Sequence, residues 1–316
     1  MLSRTAENLF WLARYMERAV NTARLLEMGY RISLLPSSAN GSRNEWGSVL
    51  DASRTRAGFE AIHGNDVRQA TVADYLLFDR NNPSSVTNCL DRARGNARAM
   101  RIALTAEMWG AINDSWLAWQ RMLPSHASGG GLRDVLEWIR RQGSQFRGAT
   151  DGTLMRTDGY EFIGIGTALE RADNTARLLD VKYYVLLPGS SSVGGGIDHY
   201  QWASVLHAAS SLRAYHWTYR TDVSPRNIAD FLILNPFTPR SIHYCYRTLG
   251  DRLNGLARFY GQRHACHAEA NESMTMLSDL TIDEIFATGL HEFLGDFIAR
   301  TARLHGSIAS AYHFAG

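Results

Sequence analysis

A ten-residue segment occurs twice in this chain, and its repetition constrains the fold more than any other feature. Residues 17–26 read Glu-Arg-Ala-Val-Asn-Thr-Ala-Arg-Leu-Leu, and residues 170–179 read Glu-Arg-Ala-Asp-Asn-Thr-Ala-Arg-Leu-Leu. The two copies differ only where the first has Val20 and the second has Asp173. An internal match of this kind is the sequence signature of a repeated structural unit.

The match between the two halves extends well beyond this segment. At a spacing of 156 residues, identical residues recur in the same order: Trp46, Ser48, Val49, Leu50, Pro83, Ser85 and Cys89 match Trp202, Ser204, Val205, Leu206, Pro239, Ser241 and Cys245. We therefore predict a tandem duplication with units 1–152 and 153–316, packed with pseudo-twofold symmetry or fused into one globule. Two units are too few for a solenoid, which needs at least three repeats.

The hydrophobic pattern predicts an all-α fold in which each unit is a helical bundle. Apolar residues at spacings of three and four predict a long helix over residues 5–34, and only 7 prolines interrupt the chain. Asn82 and Thr238 each precede a proline, a pattern that predicts a helix starting at Pro83 and at Pro239. The other predicted helices are 46–63, 202–219, 132–147 and 282–312. No segment has a convincing strand pattern.

Each copy of the repeated helix carries a row of polar side chains. Residues at i, i+4 and i+7 share one helix face, so the Glu, Asn and second Arg of each segment form one row. The arginine directly after each glutamate is expected to point about 100° away from that row. The candidate site residues are Glu17, Arg18, Asn21, Arg24, Glu170, Arg171, Asn174 and Arg177.

These rows have two interpretations. In the first, glutamate and arginine form structural ion pairs, which fix the register of the packed helices more than they stabilise them. In the second, two carboxylates, two amides and up to four guanidinium groups meet at an interface and bind an anionic or amino-acid-like ligand. The pattern identifies no catalytic residue.

Composition argues against several functional classes. The net charge of +2, from 33 basic and 31 acidic residues, gives no field that would attract nucleic acid or an anionic membrane. No apolar run reaches the roughly 18 residues of a membrane span, and no signal peptide opens the chain, so we expect a cytoplasmic protein. No glycine-rich phosphate loop or Ser-His-Asp order is present, and we expect no cofactor.

Two further patterns are candidate sites. His264 and His267 lie one helical turn apart, as in half of a metal site. The first copy has no matching pair, and we expect no metal. Cys89 and Cys245 occupy matched positions near predicted helix starts, where a thiolate could be stabilised. Neither has a partner histidine or asparagine matched in both copies, and we expect both to be small buried residues.

Several segments resemble the bacterial Alpha-E family, which is named for its helices and its Glu-Arg motif. The resemblance begins at residue 1 and covers essentially the whole chain. The segments that carry it are residues 1–19, Asn21 to Leu26, the second motif at 168–179, Asn82-x-x-Ser85 with Glu107-Met108-Trp109, and Gly148-x-x-Asp151-Gly152-Thr153-x-x-Arg156.

The resemblance implies functional partners but no specific reaction. Members are encoded beside circularly permuted ATP-grasp proteins and transglutaminase-like peptidases, which implies ATP-grasp ligase-like and transglutaminase-like partners in an amide- or peptide-bond system. One hypothesis is a non-catalytic accessory subunit that binds partner proteins or an amino-acid- or peptide-like ligand. The alternative is an enzyme of amide or acyl transfer with Glu17 or Glu170 as its base. Both hypotheses are compatible with a homo-oligomer.

Overall fold

The computed structural model is a helical bundle built around two long helices, and it describes residues 1–34, 45–127, 130–186 and 196–315. Within those ranges no residue is in a strand, so the all-α prediction is confirmed. The helices are α1 (Ser3–Ser33), α2 (Glu45–Ala52), α3 (Arg56–His63), α4 (Gln69–Leu77), α5 (Val86–Ala99), α6 (Ala106–Trp119), α7 (Gly131–Thr153), α8 (Asp158–Leu186), α9 (Gly196–Ala208), α10 (Leu212–Tyr219), α11 (Pro225–Ile233), α12 (Ile242–Tyr260), α13 (Ala265–Asp279), α14 (Ile282–Thr288) and α15 (Leu290–Ala311).

Helices α1 and α8, which carry the repeated segment, form the centre of the bundle and pack along one another. Helices α5, α7 and α9 pack against α1, while α12, α15 and α2 pack against α8. Thus α2, from the first half of the chain, contacts the second central helix, and α9, from the second half, contacts the first. One continuous hydrophobic core joins all these helices.

The α1–α8 contact depends on a glycine. A Cβ atom at Gly166 would lie too close to the backbone carbonyl oxygen of Phe10 and in tight contact with Ala13. The two helix backbones therefore approach more closely than any side chain at this position would allow.

Two predicted helix starts are wrong by three residues. Helix α5 begins at Val86 and not at Pro83, and α12 begins at Ile242 and not at Pro239. The N-cap residues are Ser85 and Ser241, whose Oγ atoms accept the amides of Asn88 and Tyr244. A serine side chain caps a helix as well as asparagine does, and each proline lies in the preceding turn.

Two other predicted helices are each divided by a left-handed residue. The predicted helix 46–63 is split into α2 and α3 around Arg54 (φ 55°), and 202–219 into α9 and α10 around Ser210 (φ 55°). Neither residue is glycine, so the sequence carries no break signal. The predicted closing helix 282–312 is likewise split, at Gly289 (φ 104°). The predicted helix 132–147 is longer in the structure, where α7 begins at Gly131 and ends at Thr153. No described helix is long and apolar enough to cross a bilayer.

Replacing Gly166 by alanine should separate the central helices and lower the free energy of unfolding by roughly 1–3 kcal/mol. Urea unfolding followed by circular dichroism measures this change. The control is Gly148→Ala on α7, where an added Cβ meets no atom within 4 Å. Helix propensity should make that variant more stable by up to about 1 kcal/mol. Equal effects of the two substitutions would contradict the assigned role of Gly166.

Candidate functional site

The two repeated glutamates are buried between α1 and α8, and each binds the arginine of the other copy. Arg171 donates from Nε and Nη2 to the two carboxylate oxygens of Glu17, at 3.1 and 3.0 Å. Arg18 donates in the same way to Glu170, at 2.6 and 3.1 Å. Glu17 is 3% exposed and Glu170 is 6% exposed. Bidentate contacts of this type are among the strongest side-chain hydrogen bonds.

The expectation that Arg18 and Arg171 point away from the polar rows is therefore wrong for their side chains. A helical wheel gives the direction of the Cα–Cβ bond, whereas a guanidinium group lies four atoms beyond Cβ. Because α1 and α8 lie side by side, each arginine reaches across the interface to the opposing glutamate.

Glu17 has two further guanidinium partners. Arg240, in the turn before α12, donates Nη2 to Oε1 at 2.9 Å, and Arg147 on α7 donates Nη1 to Oε2 at 3.3 Å. Burial alone would raise the pKa of Glu17, but Arg171 and Arg240 hold it well below its usual range. Glu17 is thus a buried carboxylate shared by three guanidinium groups.

Glu170 has one further partner, Arg14, which donates Nε to Oε2 at 2.7 Å. Burial alone would raise the pKa of Glu170, but Arg14 and Arg18 together lower it to about 2. At neutral pH this carboxylate is ionised, and its two oxygens are engaged by the two arginines. It is therefore deprotonated, as a general base must be, but its low pKa makes it a very weak base.

A cavity of about 510 Å³ adjoins this network and is lined mainly by residues of α1, α8 and the α2–α3 break. We call it the first cavity. Of the candidate site residues, those that line it are Arg18, Asn21, Glu170, Asn174 and Arg177, joined by Arg14, Arg54, Asn82, Asp173 and His305 among others. Its volume lies within the range of typical small-ligand sites.

The charge of the first cavity favours an anion. Four guanidinium groups line it against two carboxylates, an excess of two positive charges. Burial and the nearby Arg14 lower the pKa of His305 to about 4, so its ring is neutral at pH 7. Asn21 is 4% exposed and donates Nδ2 to the Glu170 carbonyl at 3.4 Å, while its Oδ1 has no hydrogen-bond partner among the described residues. The wall thus holds guanidinium donors and an unsatisfied amide acceptor.

The structure separates the two matched arginines at the end of the rows. Arg24 is buried and donates Nη1 to the Ala208 carbonyl and to Ser210 Oγ, where it caps the end of α9. Arg177 instead donates to Asp173 at 2.6 and 2.9 Å and lines the first cavity. The one difference between the repeated segments, Val20 against Asp173, therefore provides the carboxylate that holds Arg177 in this wall.

The other candidate residues serve structure. Burial raises the pKa of the Cys89 and Cys245 thiols to about 12, so both are unreactive small core residues, as expected. His267 accepts the amide of His264 at its Nδ1 atom and contacts the Leu253 carbonyl through Nε2 at 3.1 Å. Both ring nitrogens are thus engaged by backbone groups, Nδ1 at the start of α13 and Nε2 within α12.

Sequence reasoning missed Arg147, Arg240, Arg54 and His305 as parts of the network and cavity walls. Arg240 follows the matched Pro239, where the first copy has Ser84, and Arg147 precedes the Gly148 segment. Both positions lay beside segments already singled out. Nothing in the local sequence, however, indicates that they meet Glu17, which lies 130 and 223 residues away along the chain.

Comparison with known families gives a match over nearly the whole chain. A family model, Alpha-E, described as a predicted alpha-helical domain with a conserved ER motif, matches residues 1–313. The chain belongs to the Alpha-E family. In this member, Glu17-Arg18 and Glu170-Arg171 are the two Glu-Arg pairs that exchange partners across α1 and α8. Comparison with curated proteins and with solved structures gave no significant match.

Replacing Glu170 by glutamine should lower the free energy of unfolding by roughly 3 kcal/mol at pH 7, because Arg14 and Arg18 lose their buried counter-charge. The folded-state pKa of about 2 lies below the ordinary glutamate value of 4.5. The stability from this ionisation is therefore present above about pH 4.5 and is lost as the pH falls toward 2. The difference between wild type and variant should shrink over that window in urea titrations.

The control for this experiment is Glu60→Gln, which removes an exposed carboxylate 3.5 Å from Arg56. Its effect should stay below about 1 kcal/mol at every pH. A wild-type–Glu170→Gln difference that does not change between pH 5 and pH 2 would show that the Glu170 carboxylate is not held ionised by its arginines.

Proposed function

We propose that this protein is a non-catalytic accessory subunit that binds an anionic amino-acid- or peptide-like ligand in the first cavity and presents it to an ATP-grasp-linked amide- or peptide-bond-forming system. One observation carries the proposal. Fixed ion pairs with Arg14 and Arg18 neutralise the Glu170 carboxylate in the cavity wall, and the lining as a whole carries four guanidinium groups against two carboxylates.

The state of the glutamates argues against the alternative, an amide- or acyl-transfer enzyme with Glu17 or Glu170 as base. A general base needs a pKa near the working pH and a free oxygen that can accept a proton. Glu170 has a pKa of about 2, and its oxygens accept three hydrogen bonds from Arg14 and Arg18. Glu17 is held by three arginines. Both are suited to a permanent structural charge.

The lining of the first cavity supports a ligand with both a carboxylate and an amide. Guanidinium groups recognise carboxylates with two parallel hydrogen bonds, and the amides of Asn21 and Asn174 can both donate to and accept from a peptide group. A neighbouring cavity of about 480 Å³ shares Arg54 and Arg177 with the first. An extended peptide that passes these two arginines fits this arrangement better than a single amino acid.

The proposed partners come from the family resemblance. They are an ATP-grasp ligase-like protein, which would join the presented ligand to a second component, and a transglutaminase-like protein. The working location that fits such partners is the cytoplasm.

We also propose that the chain is a tandem duplication, with units 1–152 and 153–316 related by a pseudo-twofold axis and fused into one globule. Three reciprocal observations support this. Arg18 binds Glu170 as Arg171 binds Glu17; α2 packs on α8 as α9 packs on α1; and the left-handed Arg54 and Ser210 lie 156 residues apart, at the spacing of the sequence match.

The ligand proposal predicts that a short acidic peptide binds through its C-terminal carboxylate. The probe is N-acetyl-alanyl-glutamate, with its C-terminal amide as the comparison ligand, measured by isothermal titration calorimetry at low salt. The free acid should bind at least about tenfold more tightly than the amide. Arg177→Gln should weaken the complex by a similar factor, because it removes one guanidinium group from the cavity wall.

The matched control is Arg24→Gln, at the corresponding position of the first copy and outside the first cavity. This variant should lose stability but keep its affinity for the peptide. If both peptides bind equally, or if the two arginine variants lose affinity equally, the first cavity is not the site. Affinity capture with the purified ATP-grasp neighbour, with and without peptide, separately tests the partner.

A further inference from the structure

A second cavity, of about 160 Å³, lies between α7, α8 and α12 and shares no lining residue with the first. Its charged wall residues are Arg147, Arg171, Arg252 and Asp151. Hydroxyl-bearing side chains, among them Tyr244 and Thr248, complete the polar part of the wall. The proposed peptide-binding function makes no use of this cavity.

The cavity exists because the second copy has small residues where the first has large ones. Gly164, Thr167 and Ala168 line it, and the sequence match pairs them with Trp11, Arg14 and Tyr15. In the first copy these side chains pack against one another: the rings of Trp11 and Tyr15 stack at 5.4 Å, and the Arg14 guanidinium lies 4.9 Å from the Trp11 ring.

Arg252 occupies part of the space that Gly164 leaves. A Cβ atom at Gly164 would lie 2.8 Å from Arg252 Nε, so this glycine admits the arginine against the α8 backbone. The guanidinium is held by Glu161 and the Tyr160 hydroxyl, both at 3.2 Å, and lies 4.3 Å from the Tyr160 ring centre. A fixed guanidinium group thus stands at one wall of the cavity.

Positive charge is in excess around the second cavity. Glu17 pairs with Arg147, Arg171 and Arg240, Asp151 acts on Arg147 as a second carboxylate, and Glu161 pairs with Arg252. Four guanidinium groups thus stand against three carboxylates, and Arg240 Nη1 is a buried donor with no hydrogen-bond partner among the described residues. Arg147 has the longest of these contacts, and its side chain is 31% exposed. Burial and the neighbouring Arg171 lower the pKa of Arg147, despite the opposing effects of Glu17 and Asp151. An additional anion would relieve this crowding of cations.

We propose that the second cavity is a separate binding site for a phosphate-sized oxyanion, bound between Arg147, Arg171 and Arg252. A volume of 160 Å³ is too small for a peptide but sufficient for a phosphoryl group. Guanidinium and hydroxyl groups arranged on several sides suit the tetrahedral oxygens of phosphate. The phosphoryl group is free phosphate or the terminal group of a larger molecule.

The test titrates the full-length protein with inorganic phosphate and, separately, with O-phosphoserine by calorimetry at low salt. The key variant is Ala168→Tyr, which introduces the residue found at the matched position Tyr15 and should fill the cavity without removing a charge. The matched control is Ala302→Tyr, which narrows the first cavity. Ala168→Tyr should weaken phosphate binding more than about tenfold, and Ala302→Tyr should leave it unchanged.

Arg252→Gln is the second variant and should weaken phosphate binding by about tenfold. Circular dichroism melts establish that each variant is folded. Tighter binding of O-phosphoserine than of phosphate would identify a phosphorylated molecule as the source, and equal binding would identify free phosphate. No saturable binding up to about 10 mM phosphate, or loss of binding in Ala302→Tyr but not in Ala168→Tyr, would overturn the proposal. Peptide binding reports independently on the first cavity, so the two proposals can fail separately.

Discussion

At the α1–α8 interface, the Glu–Arg motif of each helix binds the motif of the other helix. Glu17 accepts from Arg171 and Glu170 accepts from Arg18, so each motif supplies one carboxylate and one guanidinium to its counterpart. A shift of either helix along the other would break both pairs at once and leave buried charges without partners. That penalty, of roughly 3–5 kcal/mol for each broken pair, fixes the register on which the remaining helices pack.

Buried ion pairs of this kind define a structure better than they stabilise it, because desolvation offsets much of the attraction. Here they act together with Gly166, which brings the two backbones close enough for the short Glu–Arg contacts. The apolar residues of α1 and α8 supply the burial that favours association, and the charged pairs select one arrangement among those that burial alone would allow.

The sequence was sufficient to predict the all-α class and the long helix that carries the first repeated segment, because apolar periodicity is a local signal. It was insufficient for the direction of Arg18, since a long side chain can depart from its position on the helical wheel. It also gave no indication of the helix breaks at Arg54 and Ser210, where non-glycine residues adopt a left-handed conformation. Arg147 and Arg240 join Glu17 only through tertiary packing.

Each repeated glutamate is paired with the arginine of the other copy, but the residues that surround the two pairs differ. Glu170 has Arg14 as its second partner, whereas Glu17 has Arg147 and Arg240. Asp173 replaces Val20 and holds Arg177 at the first cavity, while Gly164 and Ala168 replace aromatic residues and open the second. The Glu–Arg pairs therefore act as a constant framework, and the differences between the halves produce two unlike cavities. Any ligand chemistry of this fold should depend on positions where the two copies differ.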